Sequence, residues 1–227
     1  MNFVSWNRAE KEQIQLASGV RYKKIVAEAR PLQETIYQIE IDRNATSIDW
    51  LPASSQGKVD RLETVGHLVS EYENAENRQV IAAVNGDFFS ITGTPSGLQM
   101  VDREIITSPL KTKALLARLQ SQGVQFRENV RMKARLGTKY GEEPLRLDAI
   151  NRPRDAQRVD HAVLYNWRFG QSTRSLAGGT GVVIRTGSEG SFSDRLEEGR
   201  AMNGVIESIG GASADLPLRR GCIVLTA

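Results

Sequence analysis

In a chain of 227 residues, one stretch carries the most secure helical period. Leu62, Val65, Val69 and Tyr72 fall on one stripe, and Asp60 followed by Glu63 has the form of a capping box. The expected helix packs on a sheet beside residues 80–84. Strand-like segments outnumber helical patterns by several to one. Residues 20–29 and 34–42 join through Pro31, with Ile36, Tyr37, Ile39 and Ile41 the clearest alternation, and Ile48, Trp50 and Leu51 make a third short run. Residues 98–101 and 105–106 flank Asp102-Arg103, and 113–119 and 124–126 flank Ser121-Gln122-Gly123, two hairpin patterns. Runs at 144–150, 161–165, 182–184, 205–209 and 222–225 complete the set. In residues 130–136, Arg131, Lys133 and Arg135 alternate with apolar neighbours, the pattern of a guarded edge strand in preference to a phosphate-binding stripe.

These strands do not alternate with helices, which excludes a doubly wound parallel sheet. The expected fold is α+β: a mixed, largely antiparallel sheet with one or two helices packed on a face. No repeat or linker divides the chain, so a single domain over residues 1–227 is expected.

Lysine plus arginine number 30 against 27 aspartate plus glutamate, a bias too small to argue for nucleic acid but compatible with an anionic ligand. One cysteine, Cys222, excludes an intramolecular disulfide and a cysteine-rich zinc site. Two histidines, His67 and His161, leave little from which to build a histidine metal centre or a Ser-His-Asp triad. Residues 177–181 are glycine-rich but lack the lysine and hydroxyl spacing of a P-loop. No cofactor motif is found, although carboxylate ligation of a divalent metal stays open. No window reaches the ~20 apolar residues of a membrane helix, and the first residues lack the apolar core of a signal peptide. Asn44-Ala45-Thr46 matches a glycosylation acceptor, a triplet common by chance.

The most informative stretch is residues 79–100. Val80-Ile81-Ala82-Ala83-Val84 is an unbroken apolar run, the pattern of a strand buried on both faces. Asn85, Gly86 and Asp87 follow, then Phe88 and Phe89, then Gly93, Pro95 and Gly97. Asn-Gly is by itself a strong hairpin signal and needs no function. The other reading is a carboxylate and a carboxamide facing a cleft, backed by two rings, with Gly97 permitting a close backbone approach.

Asn-Gly-Asp-Phe-Phe after an Ala-Ala-Val run, with the Gly-x-Pro-x-Gly of Gly93, Pro95 and Gly97, resembles the phosphodiester glycosidase family. That family includes the lysosomal uncovering enzyme and many bacterial exopolysaccharide-associated proteins. Gly19-Val20-x-Tyr22 ahead of Ile39-Glu40-Ile41-Asp42 resembles its opening strands. Asp148-Ala149-Ile150-Asn151-Arg152-Pro153-Arg154, Val163-Leu164-Tyr165 and Ser172-Thr173 resemble its middle section. The family's final glycine-rich section has no counterpart, since Ile209-Gly210-Gly211 runs into Ala-Ser-Ala and the chain ends at Ala227. The resemblance therefore implies the N-terminal part of such a protein, exported or lumenal.

Under that resemblance the expected activity is hydrolysis of a sugar-1-phosphodiester. Asp87 is the candidate acid/base or, less favoured, a metal ligand, and Asn85 an orienting donor. Arg152 and Arg154 bracket Pro153 as candidate phosphate contacts. Asn151, Thr173 and Gly97 are further substrate-binding candidates. Trp167 with Phe169 makes either a platform for a sugar ring or part of the core. The alternative expectation is a noncatalytic carbohydrate or cell-envelope glycan-binding module. A third is a purely structural fragment.

Overall fold

A computed structural model describes residues 6–42, 44, 48–109, 114–119, 123–141, 143–155, 157, 158, 160–174, 179–187, 194–211 and 215–227. Ala45 and Thr46 of the candidate glycosylation triplet, and Ala177 and Gly178 of the 177–181 glycine run, lie outside the described residues.

The chain separates into two compact units, one of residues 1–50 with 76–84 and the other of 51–75 with 85–227. The first holds an antiparallel sheet of β1 (Asn7–Ala17), β2 (Val20–Ala29) and β3 (Leu32–Ile41), in that order. Strand β1 has the sequence of a solvated segment, and pattern reading overlooked it. Pairing makes it a strand: Gly19, at φ +74°, turns the chain back so that Ile14 meets Tyr22 and Asn7 meets Glu28. Lys23 binds Glu40 at 3.0 Å across this sheet.

The second unit contains helix α1 (Val65–Glu76) and strands β4 (Gln99–Val101), β5 (Glu104–Thr107), β6 (Leu115–Leu119), β7 (Gly123–Arg127), β8 (Ala134–Leu136), β9 (Leu145–Leu147), β10 (Ala149–Ile150), β11 (Val163–Tyr165), β12 (Thr180–Thr186), β13 (Gly204–Gly211) and β14 (Cys222–Thr226). The α+β class holds, but the strands form several sheets rather than one. The main sheet has the order β10-β11-β14-β12-β13, and β4-β5, β6-β7 and β8-β9 are separate pairs. Strands β10 and β11 are parallel, and the other pairs are antiparallel.

Both faces of the main sheet are covered at β10, β11 and β14, whereas β13 is exposed along its length. Ala149, Val163, Tyr165 and Val224 pack with Val59, Ile106 and Phe169 in one cluster, while Ile150, Leu164, Ile223 and Leu225 pack with Leu147, Ala162 and Ile184 in another. This two-sided burial explains why β14 reads Cys-Ile-Val-Leu-Thr without alternation. Each such Val, Leu or Ile stabilises the fold by ~1.5–3 kcal/mol relative to exposure.

Several expectations need correction. The helix begins at Val65 rather than near Asp60, because the Thr64 hydroxyl accepts the His67 amide at 3.3 Å and acts as its cap. It buries no residue, so it is not the packed element its stripe implied. Residues 80–84 form no strand, and Val84 is 86 % exposed. Apolar composition favours burial, but a strand requires a neighbouring edge to pair with, and no described strand takes this run as a partner. Residues 48–51 are likewise irregular. Strand β8 covers only the end of 130–136, although Arg131, Lys133 and Arg135 do face solvent between half-buried neighbours.

Candidate functional site

The reversal after Asp87 does not occur at Asn85-Gly86. It is made by Ser90 to Gly93, where the Gly93 amide donates to the Ser90 carbonyl at 2.8 Å and the Ser90 amide to the Thr94 carbonyl at 2.9 Å. The Ser90 hydroxyl lies 2.8 Å from that of Thr92 and accepts the Thr94 amide at 3.2 Å. Gly93 sits at φ +90°, and a Cβ there would approach the Arg61 backbone to 3.0 Å, so the position requires glycine twice over. Phe89 bridges Pro95, and the Ser96 amide donates to the Phe88 carbonyl at 2.7 Å.

These two arms place Asp87 opposite Gly97. One Asp87 oxygen accepts the Phe88 amide at 2.8 Å, and the other accepts the Gly97 amide. A Cβ at residue 97 would stand 2.9 Å from that second oxygen. Asp87 and Asn85 are exposed. Phe88 and Phe89 do not back the carboxylate from inside as expected: Phe88 is 79 % exposed, and both rings lie on the surface. A loop anchored by backbone amides and hydroxyls does not depend on its aromatic residues for burial.

Arg152 lies beneath this turn. Its Nε donates to the Ser108 carbonyl at 2.7 Å, its Nη1 to Pro95 at 2.8 Å, and its Nη2 to Gly97 at 2.7 Å and Ser96 at 3.2 Å. Burial lowers its pKa from the ordinary arginine value, and the negative charge of Asp87 opposes that shift. The fold thus brings Arg152 to the Asp87 turn, but with its fork turned toward backbone carbonyls. At 8 % exposure it is not an outward phosphate grip.

The other candidates occupy different surroundings. Asn151 is 0 % exposed and holds a left-handed φ of 49°. Its amide group donates to the Ile106 carbonyl and to Asn166 Oδ1, both at 2.8 Å, and its oxygen accepts the Asn166 amide at 3.0 Å. It joins elements of the core and cannot meet a ligand from solvent. Thr173, 1 % exposed, is similarly occupied: its hydroxyl accepts the Leu216 amide at 3.1 Å, which ties residues 172–174 to 215–217. Arg154 is half-buried, with its Nη atoms 2.5 and 2.7 Å from where a Cβ at residue 179 would lie. Near it, burial pushes the Tyr165 hydroxyl pKa up to about 12, against a smaller downward pull from Thr226 and Arg154. Phe169 is core, edge-on to Tyr165 at 4.8 Å. Trp167 is half-buried, with the guanidinium groups of Arg220 and Arg168 over its ring at 3.7 and 4.3 Å.

Sequence reasoning missed Glu104, buried in β5 and held by Arg168 at 2.6 and 3.0 Å. It also missed Ser108, whose carbonyl anchors Arg152 and whose hydroxyl accepts the Ile150 amide at 3.1 Å. Neither carries a local pattern, since each acts through residues more than 40 positions away. Among the described residues, no three His, Cys, Asp or Glu side chains converge as metal ligands.

No protein-family model matches the chain, and no curated protein matches it. Among solved structures, a hypothetical protein from Synechocystis matches with a TM-score of 0.68 and 14 % identity. The match covers 96 % of this chain and 37 % of that one, so the chain spans little more than a third of the length of its structural neighbour and shares its fold over that part.

Proposed function

We propose that the Asp87 turn is the reactive end of a hydrolase, or of the N-terminal part of one, that cleaves a sugar-1-phosphodiester in the manner of the phosphodiester glycosidases it resembles. The observation that carries this reading is a solvent-reached carboxylate whose two oxygens are each held by a backbone amide, with a buried guanidinium beneath the same turn. Both Asp87 oxygens act as acceptors, which suits a carboxylate that takes a proton from water during attack at the anomeric carbon. Exposed Asn85 supplies an orienting amide, and the cation beneath the turn favours an anionic substrate.

The test is release of sugar from a chromogenic sugar-1-phosphodiester. Wild-type protein turns it over, and Asp87→Asn lowers turnover by roughly 10²-fold or more, as removal of a positioned acid/base group does. Equal turnover by the two proteins overturns the assignment. The second reading, a noncatalytic glycan-binding module, is favoured by the outward rings of Phe88 and Phe89. It takes precedence if both proteins bind glycan and neither releases sugar.

A further inference from the structure

Between the proposed reactive carboxylate and the protein interior lies a single peptide group. The N–H of the Ser96–Gly97 peptide faces Asp87, while its carbonyl, that of Ser96, accepts from Arg152 at 3.2 Å, as does the next carbonyl, that of Gly97, at 2.7 Å. We infer that Arg152 is the positioning residue of Asp87: by holding the carbonyls of Pro95, Ser96 and Gly97 from beneath, it sets the direction in which the Gly97 amide meets the carboxylate. The use of this device in hydrolysis rests on the function proposed above, whereas the device itself does not.

Three features support this. First, the guanidinium is planar and rigid, and its donors fan across three consecutive carbonyls, which one lysine ammonium cannot reproduce. Second, its own orientation is set elsewhere. Asn151, immediately before it, holds its left-handed φ through hydrogen bonds to Ile106 and Asn166, so the side chain of Arg152 leaves a backbone anchored in the core. Its Nε is also fixed by Ser108, at the end of the β5 segment, and so does not depend on the turn it holds. Third, Gly97 lacks the Cβ that would push the carboxylate away. Core, guanidinium, turn and carboxylate therefore form one mechanical series, and the buried cation favours negative charge at its outer end.

The experiment is a pH titration followed by proton–nitrogen NMR on the full chain. In wild type, the Gly97 amide and the Arg152 Nε–H shift with a common midpoint, that of Asp87, and neither responds in Asp87→Asn. Because Asp87 is exposed, that variant folds. In Arg152→Lys the Gly97 response is lost, while the Phe88 amide, local to Asp87, still titrates and the Val224 amide of the core is unmoved. With substrate, Arg152→Lys lowers kcat by on the order of 10-fold and leaves KM within about 2-fold, the signature of misplacement rather than lost binding. An Arg152 Nε–H indifferent to Asp87, or a Gly97 response unchanged by Arg152→Lys, overturns the inference. Coupled resonances in a protein that releases no sugar leave the positioning device standing and reject the hydrolase. Sugar release without that coupling does the reverse.

Discussion

Asn85 and Asp87 lie exposed on an irregular loop, whereas Asn151 and Arg152, the same pairing of a carboxamide with a charge, lie buried at the end of β10. In sequence the two look alike, each a polar pair following an apolar run. In the fold they do opposite work: the first pair is offered to solvent, and the second is consumed by carbonyls and by Asn166. A polar group at a strand end is available to a ligand only if the backbone around it finds its hydrogen bonds elsewhere. The Asp87 turn does this with its own hydroxyls and with Arg152. The 151–152 corner cannot, because it must join β5, β10 and the 166–168 turn.

The contrast is broken most severely by Asn151→Ala. It takes the Asn151 partner from the Ile106 carbonyl and the Asn166 amide and leaves Asn166 Oδ1 with the Arg168 amide alone, at a cost of ~3 kcal/mol in urea denaturation. A cost below ~1 kcal/mol would mean that the corner is not the structural hub described. Gly97→Ala acts at the junction of the two regions. The new Cβ, 2.9 Å from the Asp87 carboxylate, costs ~1–2 kcal/mol and displaces the acid, so sugar release falls further than the small drop in stability explains.

Phe88→Ser tests the exposed side. It leaves stability within about 0.5 kcal/mol of wild type and weakens glycan binding measured by calorimetry. His161 tests the buried side more gently. Burial, then the positive charge of Arg158, lowers its pKa, and its Nδ1 accepts the Asp155 amide at 3.0 Å. The unfolded chain therefore takes up the proton first. Stability contributed by neutral His161 is complete above its ordinary value of 6.5 and is lost as pH falls through the lower folded value. Thermal melts of His161→Gln lack that acid slope.

The legible parts of this fold were those settled by neighbours in sequence. Asp102-Arg103 was readable as a hairpin turn because β4 and β5 flank it directly, and both residues adopt the positive φ such a turn demands. The run at 222–225 was readable as a strand because both its faces are apolar. The same logic failed for residues 80–84, where composition was right for a buried strand and no described strand offers a partner edge. It failed in the opposite sense for β1, whose charged residues carry no strand signal until β2 folds back on them. At the candidate site, the glycines and the acid of residues 85–97 were legible as the makings of a polar turn. The inward turn of Arg152 was not, because its partners lie 44 to 57 positions away.

By itself, the sequence determined the chemistry at hand: one acid among glycines, two arginines around a proline, an α+β set of short strands, and too few cysteines and histidines for the commoner metal centres. Only the tertiary structure decided which of those groups face water. Burial and hydrogen-bond satisfaction are properties of contacts between distant segments. The carbonyls that capture Arg152 and the core that encloses Asn151 exist only once the chain has folded.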